Sequence, residues 1–371
     1  MFVWLRVRGC RSRTLLGIVA AVGSLPLLLC VWGGSVADRH PKRTVIFFTQ
    51  TAMMLFAFVF AALVWSGHIQ TWHILVLAAL GGVAMAFDLP ARQAFTMEMT
   101  SREDLINAVS LNSSIVNGAR VVGPAVAGFL MVHVGMTACF LLNGFSFIAV
   151  IVGLRMMRLP KFVPPAKTTS TGRHVLEGFA YVAGHRSLRT LLLLLSVVGV
   201  FGWSYSVLLP AYATDILHVG ERGYGAMLSA NGFGALLGAL TVAAYGNRVR
   251  PQRMIVGGLS LFSAMLLLLA VVRWYPLVLV CLAVGGWGML LYFSTSNTLI
   301  QSRVSDEMRG RVMGIWGLVF GGMLPVGGLE SGLLSQAVGV PWTITVGALV
   351  CASAGLVAWL VMRRKLPAPS R

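Results

Sequence analysis

Charged side chains inside apolar stretches are the residues of this sequence with chemistry to perform. Arg120 lies about 13 residues into one such stretch, near the mid-depth of any bilayer that stretch would cross, where an isolated guanidinium is costly. It must face a protein interior, either as part of a substrate or proton-linked site or as one arm of an ion pair holding helices together. Asp88 is a candidate partner, although rise counting puts it about 10 Å from the level of Arg120. Asp88, Arg92, Arg120 and Glu330 are the candidates for intramembrane charge or coupling, and Asp215 lies near the outer end of a further stretch. Carboxyls in a low-dielectric setting are groups that exchange protons, which makes protons the expected coupling ion.

Other chemistries lack their residues. There is no Gly-rich phosphate loop of the G-x-x-x-x-G-K-[ST] type, no nucleophile triad and no cluster with metal-ligand spacing, so neither an enzyme nor a cofactor or metal is expected. Cys10, Cys30, Cys139, Cys281 and Cys351 are scattered, in or beside apolar runs, without a disulfide or zinc pattern.

The elements that position these charges are membrane helices. With 57% hydrophobic and 11% charged residues and a mean hydropathy of +0.83, the chain holds more apolar surface than a soluble core of 371 residues could bury. Apolar segments of about 20 residues, each long enough to cross hydrocarbon as a helix, recur throughout. Spans are expected near 15–36, 45–65, 72–95, 108–133, 138–157, 191–212, 225–245, 254–272, 276–299, 312–334 and 342–362, about eleven in all.

The net charge of +18 reflects topology, not nucleic acid, because the basic residues sit in short loops between apolar stretches. Arg39, Lys42 and Arg43 follow the first span, and basic loops then recur on every second connection, through Arg158–Arg189 to the tail at Arg363. The intervening loops at 66–71, 133–137 and 339–341 carry no Lys or Arg. This alternation puts the basic loops, the linker and the carboxyl terminus in the cytoplasm of a cell whose inner (plasma) membrane the chain crosses. Arg6, Arg8, Arg11 and Arg13 break the rule, since the alternation leaves residues 1–14 outside. An even helix count would remove that conflict, and twelve helices are the expected complement.

The chain also answers itself. Displacement by 204 places Ser101–Asp104 on Ser305–Met308, Val122-Gly123 on Val326-Gly327 and Gly128 on Gly332, while Arg39–Arg43 answers Val249–Arg253 at 210. Two bundles, 15–158 and 191–362, are expected on either side of a cytoplasmic linker at 159–190, followed by a tail at 363–371. Within the linker, Val175, Leu176, Phe179 and Val182 recur at helical spacing and read as a short interfacial helix.

The run Gly33-Gly34-Ser35-Val36-Ala37-Asp38-Arg39-His40-Pro41-Lys42-Arg43 resembles the signature loop of the major facilitator superfamily. The runs 86–95, 102–108, 119–124 and 306–313 resemble its branch of enterobactin-exporter-like and macrolide-efflux-like proteins. The resemblance covers the chain from about Leu15 onward, and Pro41 stands where the signature loop usually has Gly. It implies an all-α polytopic fold of two pseudo-repeated bundles that move a small-molecule substrate by alternating access, in the lipid bilayer, as a monomer.

It also aligns the first span with the family's second helix, so a first helix is expected to be missing, by truncation or a misassigned start. A transport-inactive carrier or a membrane scaffold is the competing expectation. The resemblance further implies a conformational latch of Asp38, Arg39, Lys42 and Arg43, with Asp38 at the amino end of the helix starting near Val312, where a carboxylate complements the helix dipole. Asp88 and Glu98 are candidate partners for the three cations. Gly118, Gly123, Pro124 and Gly128 resemble the superfamily's antiporter signature, which favours export; close helix packing would explain the same residues.

Overall fold

Hydrocarbon offers no water to satisfy peptide groups, so segments this apolar must close their own backbone hydrogen bonds. The computed structural model describes residues 13–30, 32, 36, 40–99, 105–157, 171–246, 248–304 and 306–363, and its elements are helices throughout. They are α1 (Arg13–Ser24, continued by a 3-10 turn at Leu25–Leu29), α2 (Lys42–Trp65), α3 (Thr71–Glu98), α4 (Leu105–Met156) and α5 (Thr171–Gly184). There follow α6 (Arg186–Val197), α7 (Ser204–Ala211), α8 (Gly220–Tyr245), α9 (Pro251–Val271), α10 (Tyr275–Arg303), α11 (Asp306–Val338) and α12 (Val340–Arg363). Among the described residues, nine helical stretches are long and apolar enough to cross a bilayer, and α1 contributes a shorter apolar one.

Two expected spans form one element. Helix α4 runs through both, broken at Gly135, whose φ of +80° and ψ of 174° are conformations that a residue with a Cβ rarely adopts. Conversely, the expected span at 191–212 is a composite. Helices α6 and α7 are joined by a π turn at Val198–Gly202, and a second π turn at Tyr212–Ile216 follows α7.

Contacts divide the helices into two units. The first holds the described parts of Val19–Arg120 and Leu130–Arg173. Here α2 packs along α3, and Ile46, Ala91, Phe95 and Leu154 form a buried cluster. Phe60 stacks on Phe140 at 5.2 Å, which ties α2 to the part of α4 beyond Gly135.

The second unit holds the described parts of Met1–Ile18, Val121–Phe129 and His174–Arg371. Glycines set its close crossings: a Cβ at Gly234 of α8 would lie 1.7 Å from the Ala283 carbonyl of α10, and a Cβ at Gly258 of α9 would lie 2.6 Å from the Gly288 carbonyl of α10. The repeated basic loops lead into similar helix starts, with Pro41 before α2 at φ −55° and ψ 118° and Arg250 before α9 at φ −58° and ψ 126°. Large apolar side chains such as Phe48, Phe145, Leu240 and Leu356 are exposed in both units, as helices facing lipid require.

Candidate functional site

A buried carboxylate on α3 gathers the polar side chains of the first unit. Asp88 Oδ1 accepts from Thr49 Oγ1 at 2.6 Å and from Gln50 Nε2 at 2.8 Å, and its Oδ2 accepts from Arg92 Nε at 2.6 Å. Thr49 and Gln50 are buried on α2; Asp88 is 7% exposed, whereas the Arg92 side chain is about half exposed. The pairing of α2 with α3 makes this possible, because it joins residues 38 and 39 positions apart. Arg92 is one turn from Asp88 on the same helix, the spacing at which side chains meet. Pro90 between them lacks the N–H that would bond the Ala86 carbonyl, so the ladder beside the carboxylate is locally incomplete.

Helical rise puts Asp88 roughly 25 Å from the start of α3 and roughly 15 Å from its end, nearer the basic-loop side. Three donors on one buried carboxylate give both of its oxygens a hydrogen-bond partner. Gln50 Oε1 is buried without a hydrogen-bond partner, so the amide is oriented through its nitrogen by Asp88.

Arg43, for which an acidic partner at Asp88 or Glu98 is expected, is directed elsewhere. Its guanidinium donates to the Met157 carbonyl at 3.1 Å and the Arg155 carbonyl at 2.9 Å, where α4 has run out of N–H partners. Arg155 in turn lies 4.9 Å over the ring of Phe47, one turn beyond Arg43 on α2. Lys42 opens α2. Asp38 and Arg39 lie outside the described residues, as do the side chains of Glu98 and Arg120; Arg120 is on α4.

The four positions of the antiporter-like run differ sharply. Gly118 and Gly123 are exposed, and a Cβ at either would meet nothing within 4 Å. Gly128 is buried in the second unit, where a Cβ would fall 2.3 Å from the Gly225 carbonyl and 2.4 Å from Ser229 Oγ. The side chain of Pro124 is outside the described residues.

Elsewhere in the second unit the polar groups are mostly neutral. Glu330 is half-buried on α11, and Asp215, in the second π turn, accepts from Thr214 Oγ1 at 3.0 Å. Asn231 Nδ2 donates to Tyr205 OH at 2.8 Å and reaches the Leu282 carbonyl at 3.4 Å, linking α7, α8 and α10. Tyr212 OH lies 2.7 Å from the Leu269 carbonyl and 2.5 Å from that of Val272, and Arg273 approaches the same hydroxyl at 3.4 Å. Leu237, Leu240, Thr241, Ala244, Tyr245 and Trp287 line a groove of about 340 Å³ between α8 and α10. Among the described residues no three His, Cys, Asp or Glu side chains are grouped to hold a metal.

A long helical chain of internal repeats with a charged cluster inside its spans has the makings of a carrier, and comparison with known proteins gives the family. The family described as Transmembrane secretion effector, a branch of the major facilitator superfamily, matches residues 2–370, and the chain belongs to it. The staphyloferrin A transporter of Staphylococcus aureus is 25% identical over 97% of this chain and 91% of its own length. The multidrug efflux pump Tap of Mycobacterium tuberculosis is 29% identical over 96% of this chain and 87% of its own length. Among solved structures, that of the nucleoside transporter NupG superposes with a TM-score of 0.72 at 13% identity, covering 98% of this chain and 94% of that one. The chain is a multi-pass membrane transporter with the major facilitator fold.

Sequence reasoning singles out Asp88 and Arg92 but passes over Thr49 and Gln50. Their signal was present, since Thr49-Gln50-Thr51 interrupts an apolar run that has no other polar residue between Thr44 and Ser66. Polar side chains inside a span need partners.

Proposed function

We propose that this transporter is a secondary exporter of the inner (plasma) membrane, moving small amphipathic molecules, drug-like or siderophore-like, outward against proton entry. Two bundles, 15–158 and 191–362, rock about a substrate held near the midplane, and the linker at 159–190 and the carboxyl terminus face the cytoplasm. The carrier works as a monomer. Asp88, buried and paired with the half-exposed Arg92, is the carboxylate available for coupling, Arg120 and Glu330 are further charges on the path, and Asp38, Arg39, Lys42 and Arg43 form the latch between access states. The run from Gly118 to Gly128 biases the cycle toward export.

One observation carries the coupling proposal: a carboxylate inside a membrane span, held by three donors, one of them a half-exposed arginine. Such a group is costly to keep where hydrocarbon surrounds it, and a proton arriving at Asp88 would release Arg92 and loosen α2 from α3. The likeness, over most of both chains, to a multidrug efflux pump and to a staphyloferrin A transporter supports the substrate class.

The test is accumulation of fluorescent dyes, antibiotics and siderophores in cells expressing the chain. Expressing cells are expected to retain less of at least one compound than controls, and an uncoupler is expected to abolish the difference. No uncoupler-sensitive difference across a broad panel overturns the reading.

A further inference from the structure

Helix α5 keeps a large apolar side chain uncovered, and two arginines follow at its carboxyl end. Its inner face is fixed on α11: a Cβ at Gly178 would lie 3.0 Å from Ile315 Cδ1 and 3.4 Å from Arg311 Cβ, and Val182 is buried. Arg311 opens one membrane-crossing stretch, and Arg186, just past the end of α5, opens another. The helix therefore lies at the level where hydrocarbon gives way to headgroups.

Phe179 points away from that packing at 47% exposure, and Ala180 and Ala183 are exposed with it. Arg189 donates to the Ala183 carbonyl at 3.3 Å, which folds its guanidinium back over the end of α5, and Arg186 is exposed beside it. Among the described residues neither arginine meets a carboxylate. The surrounding sequence does not compensate them, since 159–189 carries Lys161, Lys167, Arg173, Arg186 and Arg189 against Glu177 alone.

An outward ring at the headgroup level, on a helix whose carboxyl end carries guanidiniums that can fork onto phosphate oxygens, matches one neighbour the protein always has. We propose that Phe179, Arg186 and Arg189 dock an anionic phospholipid of the surrounding bilayer, the ring entering the acyl boundary and the arginines taking the headgroup phosphate. A zwitterionic lipid lacks the net charge, and free phosphate lacks the chain that Phe179 would cover. The proposal is independent of what the carrier transports.

The experiment uses the purified full-length protein in detergent, offered equal amounts of phosphatidylglycerol and phosphatidylcholine, with retained lipid counted by native mass spectrometry. A tightly held phosphatidylglycerol adduct is expected, favoured about fivefold for each arginine engaged. The double variant Arg186→Gln/Arg189→Gln is expected to lower its occupancy about tenfold, Arg186→Lys/Arg189→Lys to keep most of it, and Phe179→Ser to weaken retention of either lipid. Should the glutamine variant not fold, 0.5 M salt on the unaltered protein must remove the preference. Equal retention of the two lipids, an adduct indifferent to both the glutamine variant and salt, or full displacement by millimolar inorganic phosphate each overturns the proposal, the last by marking a free-anion site.

Discussion

The displacement of 204 that aligns the two halves of the chain also brings Asp88 onto Tyr292 and Arg92 onto Ser296. At that shared register one half is ionic and fully engaged, and the other is neutral and unpartnered. Asp88 receives three donors, whereas Tyr292 OH and Ser296 Oγ are buried with no hydrogen-bond partner, as are Thr295 Oγ1 beside them and Ser263 Oγ on α9. A charge in a membrane span must be satisfied or the span is unstable, so the first half is committed to one arrangement of α2 against α3. Lone hydroxyls cost far less, and the second half keeps hydrogen-bonding capacity in reserve. The two halves repeat a register, and at that register the division between a charged pair and a neutral pair comes from the side chains placed there.

Breaking the ionic side should give the largest effect. Asp88→Leu leaves Thr49, Gln50 and Arg92 facing an apolar group, and is expected to cost about 3 kcal/mol, seen as a lower thermal midpoint of the detergent-solubilised protein. Asp88→Asn keeps the shape and most hydrogen bonds, and is expected to fold while cutting uncoupler-sensitive efflux at least about tenfold. Normal efflux by Asp88→Asn would dismiss the carboxylate from coupling.

A steric break comes next, on the second unit. Gly128→Val drives a side chain into the Gly225 carbonyl and is expected to destabilise by about 2 kcal/mol, whereas Gly118→Ala and Gly123→Ala enter open space and should be neutral or gain up to about 1 kcal/mol. The same unfolding measurement separates them, and equal effects at all three glycines would contradict the close approach at Gly128.

Smaller changes sharpen the contrast between the halves. Gln50→Leu removes one donor from Asp88 together with an unpartnered oxygen, so a loss of about 1 kcal/mol with a several-fold fall in efflux is expected. Tyr292→Phe and Ser296→Ala remove hydroxyls that bond to nothing, and the thermal midpoint should hold or rise slightly. A fall in stability of more than about 2 kcal/mol in either would mean that these groups are engaged after all.

The helices were legible because lipid makes their rules strict. The stretches read at 45–65, 72–95 and 254–272 return as α2, α3 and α9 within a few residues, since an apolar run in hydrocarbon has no conformation but a helix that satisfies its backbone. The kink at Gly135 was foreshadowed by a turn between two spans. The π turns were not, because a wide turn leaves hydropathy unchanged and depends on how α6 and α7 meet their neighbours.

For the candidate site, the sequence marked which charges must have partners and left the partners open. That Asp88 and Arg92 could not stand alone inside a span followed from the cost of charge in a low dielectric, a property each residue carries with it. Which groups answered was settled by adjacency. Only the packing of α2 on α3 set Thr49 and Gln50 against Asp88, only the nearness of the end of α4 drew Arg43 to carbonyl oxygens, and only the backbone at Gly225 made Gly128 crowded while Gly118 and Gly123 stayed open. Solvent preference is written residue by residue, but a hydrogen bond or a steric contact is a relation between positions far apart in the chain, and it exists once the helices have packed.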